Sequence, residues 1–124
     1  MVCKSCGKDQ NITIGIDIVS VSRFRNFDFK GNFAKKIFTE NELAICKNKS
    51  HPEQSLAGRF AAKEAIKKTI QETIEYNKIE IQADENGQPL VRYLEEEIGE
   101  KYCSVLSISH TEDLAQSVSL TFIK

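Results

Sequence analysis

The chain contains no tryptophan, one methionine and two prolines among 124 residues. No apolar run approaches the roughly 20 residues needed to span a bilayer, which excludes a helical membrane span. The segment Met1–Gln10 has no apolar h-region, so no secretory signal is expected. Four cysteines without such a signal suggest free thiols in a reducing compartment, and hence a cytoplasmic location. There is little net charge: 17 basic against 18 acidic residues leave −1. That gives no global field for nucleic acid, so any anion binding must come from local clusters. Repeats, low-complexity tracts and linkers are absent, and the length suits one domain.

The expected organisation is α+β, a mostly antiparallel sheet packed on one long helix. Residues 1–10 read as a polar extension, and 11–124 as the domain. Asn11 to Val19 alternates as a strand, with Ile12, Ile14, Ile16 and Ile18 on the face expected to be core. Asp17 sits on the opposite face, where Gly15 leaves space beside it. Ser20 and Ser22 can cap a helix carrying Arg23, Phe24, Arg25 and Phe27. Thr39-Glu-Asn-Glu42 matches a capping box. Pro52 opens a helix expected to run from about Glu53 to about Tyr76. Ile79 to Ala83 and the segment from Leu90 read as a hairpin, with Asn86-Gly87 suited to a type I′ turn. Glu95 to Glu100 suits a short helix. Cys103 to Ser109 and Gln116 to Phe122 read as strands flanking His110-Thr-Glu-Asp113.

The long helix carries the chemistry. Leu56 to Lys68 sets Arg59, Lys63, Glu64, Lys67 and Lys68 among Leu56, Phe60 and Ile66, whereas a surface helix keeps charge off its apolar stripe. Arg59, Lys63 and Lys67 form one i, i+4 row, and Glu64 and Lys68 the next. The basic rows suit a phosphate cradle or a solvated face. Asp17 and Glu64 can converge on Mg²⁺, which takes one or two protein carboxylates with waters and phosphates. Equally, Asp17 can be a polar strand end and Glu64 the partner of Lys68. His110 can bind a phosphate, act as a general base, or simply be exposed. Arg23, Arg25, Lys30, Lys35 and Lys36 alternate with Phe24, Phe27 and Phe29. That region suits single-stranded nucleic acid, an acidic protein helix, or a core of Phe with basic residues in water. Cys3-Lys-Ser-Cys6 is half of a zinc site and lacks the second pair.

Three segments together resemble the 4′-phosphopantetheinyl transferase superfamily, in its short holo-acyl-carrier-protein synthase branch. They are Gly15-Ile-Asp17-Ile-Val19, Gly58-Arg-Phe-Ala-Ala-Lys63-Glu64-Ala-Ile-Lys-Lys68 and Ser107-Ile-Ser-His110-Thr111. Phe38 to Leu43 and Asn86-Gly-Gln-Pro89 also resemble family segments. The resemblance covers about Ile12 to the C-terminus. It implies the family's fold and transfer of the 4′-phosphopantetheine arm of coenzyme A to a serine of an apo acyl carrier protein, in support of fatty acid biosynthesis. It implies Asp17 and Glu64 as catalytic Mg²⁺ ligands, with Glu64 also the candidate to accept the serine proton. Arg59, Lys63, Lys68, His110 and Thr111 become candidate coenzyme A contacts, and Arg23 with Arg25 candidate carrier-protein contacts. The implied assembly is a homotrimer with sites between subunits, with neither nucleic acid nor membrane as partner. The competing readings are an interaction protein that has lost catalysis and a single-stranded nucleic-acid-binding module.

Overall fold

A computed structural model of the chain describes residues 5–6 and 11–124. The strands are β1 (Ile12–Ser20), β2 (Ile79–Ala83), β3 (Pro89–Tyr93), β4 (Tyr102–His110) and β5 (Leu114–Ile123). The helices are α1 (Asn32–Ile37), α2 (Glu40–Lys47), α3 (Pro52–Lys67) and α4 (Glu96–Lys101), with 3-10 turns at Val21–Phe24 and Tyr76–Lys78. The architecture is the expected α+β with five strands, divided into two antiparallel sheets. One has the order β1-β5-β4, and the other is the β2-β3 hairpin. No described helix is long and apolar enough to cross a membrane. Most of the extension, Cys3 included, lies outside the described residues, so the pairing of Cys3 with Cys6 in the half zinc site does too, while Cys6 itself is an exposed free thiol.

Helix α3 packs on β5 and β1. Close approach is possible because both surfaces are small. The helix buries Ala57, Ala61 and Ala65, and β5 buries Ala115, Ser117, Ser119 and Thr121. At Gly15 the approach is closest: a Cβ there would lie 2.1 Å from the carbonyl oxygen of Ala65. Two apolar clusters flank this seam. Phe24, Phe38, Leu56 and Phe60 anchor one, and Ile66, Ile74, Ile79 and Ile81 the other.

The isoleucine face of β1 is not core. Ile14, Ile16 and Ile18 are 54%, 53% and 58% exposed, while Gly15 and Val19 opposite are buried. Period-2 alternation distinguishes the two faces but does not say which meets the helix. Here the closer-packing face, with Gly15, won. In register with Ile14 and Ile16 stand Leu120 and Val118 of β5, and beside Leu120 stands the exposed Val105 of β4. The open side of the sheet is therefore a continuous apolar surface.

Three local expectations also change. Helix α3 stops at Lys67 rather than near Tyr76. The spacing of Ile66, Ile70 and Ile74 mimics a helical stripe, but β-branched Thr69, Ile70, Thr73 and Ile74 disfavour a helix. The Thr69 hydroxyl donates to Ile66 O and shares a hydrogen bond with Thr121. The segment after Ser20 is one 3-10 turn without a side-chain cap. In the β2-β3 turn only Gly87 has positive φ, at 80°, so the turn is not type I′. Instead Asp84 Oδ1 accepts from the amides of Asn86 and Gln88, at 2.8 and 2.9 Å. Pro52 at the start of α3 and the capping box of α2 match expectation.

Replacing Gly15 by alanine is expected to cost about 2–3 kcal/mol, since the new methyl meets backbone that cannot swing aside. Urea unfolding checks this, and a midpoint equal to the parent's would contradict it.

Candidate active site

Strand β1 and helix α3 bring two carboxylates together along their seam. Asp17 lies two residues beyond Gly15, and Glu64 immediately precedes Ala65. Lys68, one helical turn after Glu64, reaches across the seam to β1. Its ammonium donates to Asp17 Oδ1 at 3.2 Å and to the carbonyl of Ile16 at 2.7 Å. Glu64 Oε1 accepts the Tyr76 hydroxyl at 2.7 Å. Among the described residues no hydrogen bond reaches the second oxygen of either carboxylate. The Lys68 and Asp17 side chains are 52% and 20% exposed, so the pair is open to ligand.

Tyr76 connects this centre to its surroundings. Its ring stacks on Phe60 at 5.6 Å, with the Lys67 ammonium 4.1 Å from its centroid. Arg23 lies 5.0 Å from the centroid of Phe60. Burial, then the hydrogen bond to Glu64 and the charges of Glu64 and Asp17, push the Tyr76 hydroxyl up to about 12. It is therefore a protonated donor at neutral pH. Spacing alone does not reveal Tyr76, because it lies twelve residues from Glu64 on a separate turn.

Arg59 and His110 lie in a different place. They line a cleft of about 450 Å³ between the start of α3, the β2-β3 hairpin and the end of β4. Asp17, Glu64 and Lys68 are not among its walls. Arg59 Nη1 donates to Ser55 Oγ at 2.7 Å, while its buried Nε has no partner. A guanidinium with an idle buried N–H is poised for an acceptor. Gly58 keeps the cleft wall tight against Ile108, whose methyl would lie 3.1 Å from a Cβ at Gly58.

Other expected contacts fall differently. Lys63 is fully buried and donates to Ile37 O at 2.8 Å, Tyr76 O at 3.0 Å and the buried carboxylate of Glu42. Its three N–H bonds are spent inside the protein, so a diphosphate contact by Lys63 does not fit this geometry. Burial pushes its ammonium below the usual lysine range, against the opposing pull of Glu42. Glu42 also caps α2 through the amide of Thr39 and accepts the amide of Ile81, at 2.9 Å each. Thr111 Oγ1 accepts from Asp113 N and Leu114 N, which occupies it in the β4-β5 turn. Arg25 is exposed and borders a second, polar hollow with His51, Glu53 and Glu112. Phe24 is buried, and Phe27 packs against it and against Phe29.

The carboxylate pair fits a magnesium ion. Among the described residues no group of three or more His, Cys, Asp or Glu could hold a metal unaided. Mg²⁺ does not need one, because it is bound through one or two carboxylates, waters and substrate phosphates.

Known proteins resemble this chain in sequence and fold. A family profile described as the 4′-phosphopantetheinyl transferase superfamily matches residues 13–121. A holo-[acyl-carrier-protein] synthase of Caldicellulosiruptor saccharolyticus is 40% identical over 116 residues, covering 86% of this chain and 93% of the relative. That of Chlorobaculum tepidum is 40% identical over 113 residues, with 86% and 95% covered. The crystal structure of a Bacillus anthracis holo-(acyl-carrier-protein) synthase in complex with CoA (3′,5′-ADP) superposes with a TM-score of 0.74 at 31% identity. It covers 90% of this chain and 96% of that one. A Helicobacter pylori synthase in complex with coenzyme A gives 0.69 at 29%, covering 90% and 100%.

Lys63→Met is expected to lose about 3–5 kcal/mol of stability, because it strands the Glu42 carboxylate without its counter-charge. Chemical denaturation measures this, and a loss below about 1 kcal/mol would contradict the buried role.

Proposed function

The chain belongs to the 4′-phosphopantetheinyl transferase superfamily, and from that premise we propose that it moves the 4′-phosphopantetheine arm of coenzyme A to a serine of an apo acyl carrier protein. The observation that carries the reading is the carboxylate pair at the β1-α3 seam, each member held by one donor with one oxygen left over. Asp17 and Glu64 would hold Mg²⁺. When bound, the ion neutralises charge on the coenzyme A diphosphate and its leaving group. Lys68 stands beside Asp17 as a further point charge for that diphosphate. The serine oxygen attacks the phosphorus bearing the pantetheine arm, and the bond from that phosphorus to the bridging oxygen breaks. The products are the holo carrier and adenosine 3′,5′-bisphosphate. Glu64 is the candidate to take the serine proton. In the cleft, Arg59 and His110 suit the phosphates of the nucleotide. We assign the product to fatty acid biosynthesis and the protein to the cytoplasm.

The assembly we propose is a homotrimer with sites between subunits. Two observations support it. The cleft with Arg59 and the centre with Asp17 and Glu64 do not share walls within one chain, which suits a ligand held between two chains. The open sheet face, with Ile14, Ile16, Ile18 and Val105 more than half exposed, is apolar enough to be covered by a neighbour. Arg23, exposed beside Phe60, is our candidate to meet the acidic carrier, with encounter steered by charge and weakened by salt. Arg25 would extend that contact.

Mass spectrometry of an apo carrier protein incubated with coenzyme A tests the reading. The added arm is expected with Mg²⁺ and absent with chelator. Asp17→Asn, Glu64→Gln and Arg59→Ala are each expected to lose about 100-fold or more while folding normally. Co-refolding Glu64→Gln with Arg59→Ala should restore roughly a quarter of the sites, since a neighbour supplies each missing half. Full activity in the carboxylate variants would sink the assigned centre. No recovery in the mixture would sink the shared site.

A further inference from the structure

We propose that Tyr76 is a positioning residue for Glu64, and that its hydroxyl selects which carboxylate oxygen is offered to a divalent cation. The proposal rests on the reading of Asp17 and Glu64 as the metal-binding pair. Tyr76 is fixed at every part of its length. Its carbonyl accepts from the buried Lys63 ammonium at 3.0 Å, its ring stacks on Phe60, and Lys67 stands over that ring. Lys67 is itself held, donating to Ile74 O. Only the hydroxyl remains, and it donates to Glu64 Oε1 at 2.7 Å.

The consequence is a matched pair of restraints. Lys68 holds Oδ1 of Asp17, and Tyr76 holds Oε1 of Glu64. A carboxylate on α3 would otherwise sample several rotamers, and ordering it would cost part of the binding free energy. With one oxygen tethered, the other is presented in a single orientation. Partners behind a ligating carboxylate commonly change metal affinity by about 10- to 100-fold. The Tyr76–Lys63 contact adds a link from core to centre. The buried Lys63–Glu42 pair fixes the Tyr76 backbone, and Tyr76 passes that rigidity to Glu64.

Tyr76→Phe keeps the ring on Phe60 and removes only the hydroxyl, so its melting temperature is expected to stay within about 3 °C of the parent's. Titration with Mn²⁺ in the presence of coenzyme A, followed by the electron paramagnetic resonance of the free ion, reads affinity without turnover. The variant should bind about tenfold more weakly. The Mg²⁺ concentration for half-maximal carrier loading should rise by a similar factor, with most of the lost rate returning at saturating Mg²⁺. Superimposable Mn²⁺ isotherms would overturn the proposal. So would a rate deficit that saturating Mg²⁺ leaves untouched. A parent protein that binds no Mn²⁺ would overturn the metal reading as well, an outcome separable from one in which parent and variant bind alike.

Discussion

The carbonyl oxygen of Ala65 would sit 2.1 Å from any Cβ at position 15, and this contact governs how β1 lies on α3. With glycine there, strand backbone touches helix backbone. Asp17 then falls beside the helical turn that carries Glu64 and Lys68, and the Lys68 ammonium reaches both Asp17 and the Ile16 carbonyl. The same closeness is supported further along the seam. Thr13 donates to Thr69 O, Thr69 meets Thr121, and Thr121 meets Ser104, which in turn meets Tyr93. Small hydroxyls satisfy one another where larger side chains would hold helix and sheet apart. The cost of this choice is that the isoleucines of β1 turn outward and leave an apolar sheet face open.

Charge on α3 is divided between two tasks by helical geometry. Lys63 and Glu64 are adjacent in sequence, yet a rotation of about 100° sends one inward and the other to the seam. Lys63 ends on Glu42, which also caps α2 and holds β2 through Ile81. A buried pair of this kind is a poor source of net stability, but breaking it is expensive, so it fixes the relative placement of the elements it joins. Glu64 and Lys68 then work on a frame whose register Lys63 has set. Tyr76 belongs to both, through its carbonyl on one side and its hydroxyl on the other.

Much of this was legible in the residues themselves. The strands, the capping box at Thr39 and Glu42, Pro52 at the start of α3, and Gly15 as the space beside Asp17 all followed from local patterns. The interruption of the α3 stripe by charge pointed to the helix that carries Glu64, with Lys68 at its C-cap. What escaped was set by tertiary packing. Alternation along β1 does not say which face a helix will choose, and the smaller face packed more closely. Ile66, Ile70 and Ile74 kept a helical spacing after the helix had ended. Lys63 read as part of a phosphate cradle or a solvated face, because residue type carries no sign of a buried partner 21 positions away. Tyr76 had no local signal at all, since its role depends on a hydroxyl meeting a carboxylate on another element.

The central claim is that the β1-α3 seam makes one divalent-cation site from Asp17 and Glu64. Anomalous diffraction from crystals grown with Mn²⁺ and coenzyme A measures the ion's position directly. The account predicts a peak within coordination distance of both carboxylates, about 2.0–2.4 Å from the oxygens that Lys68 and Tyr76 leave free. A peak away from this pair, with Asp17 and Glu64 still bound only to Lys68 and Tyr76, would contradict it.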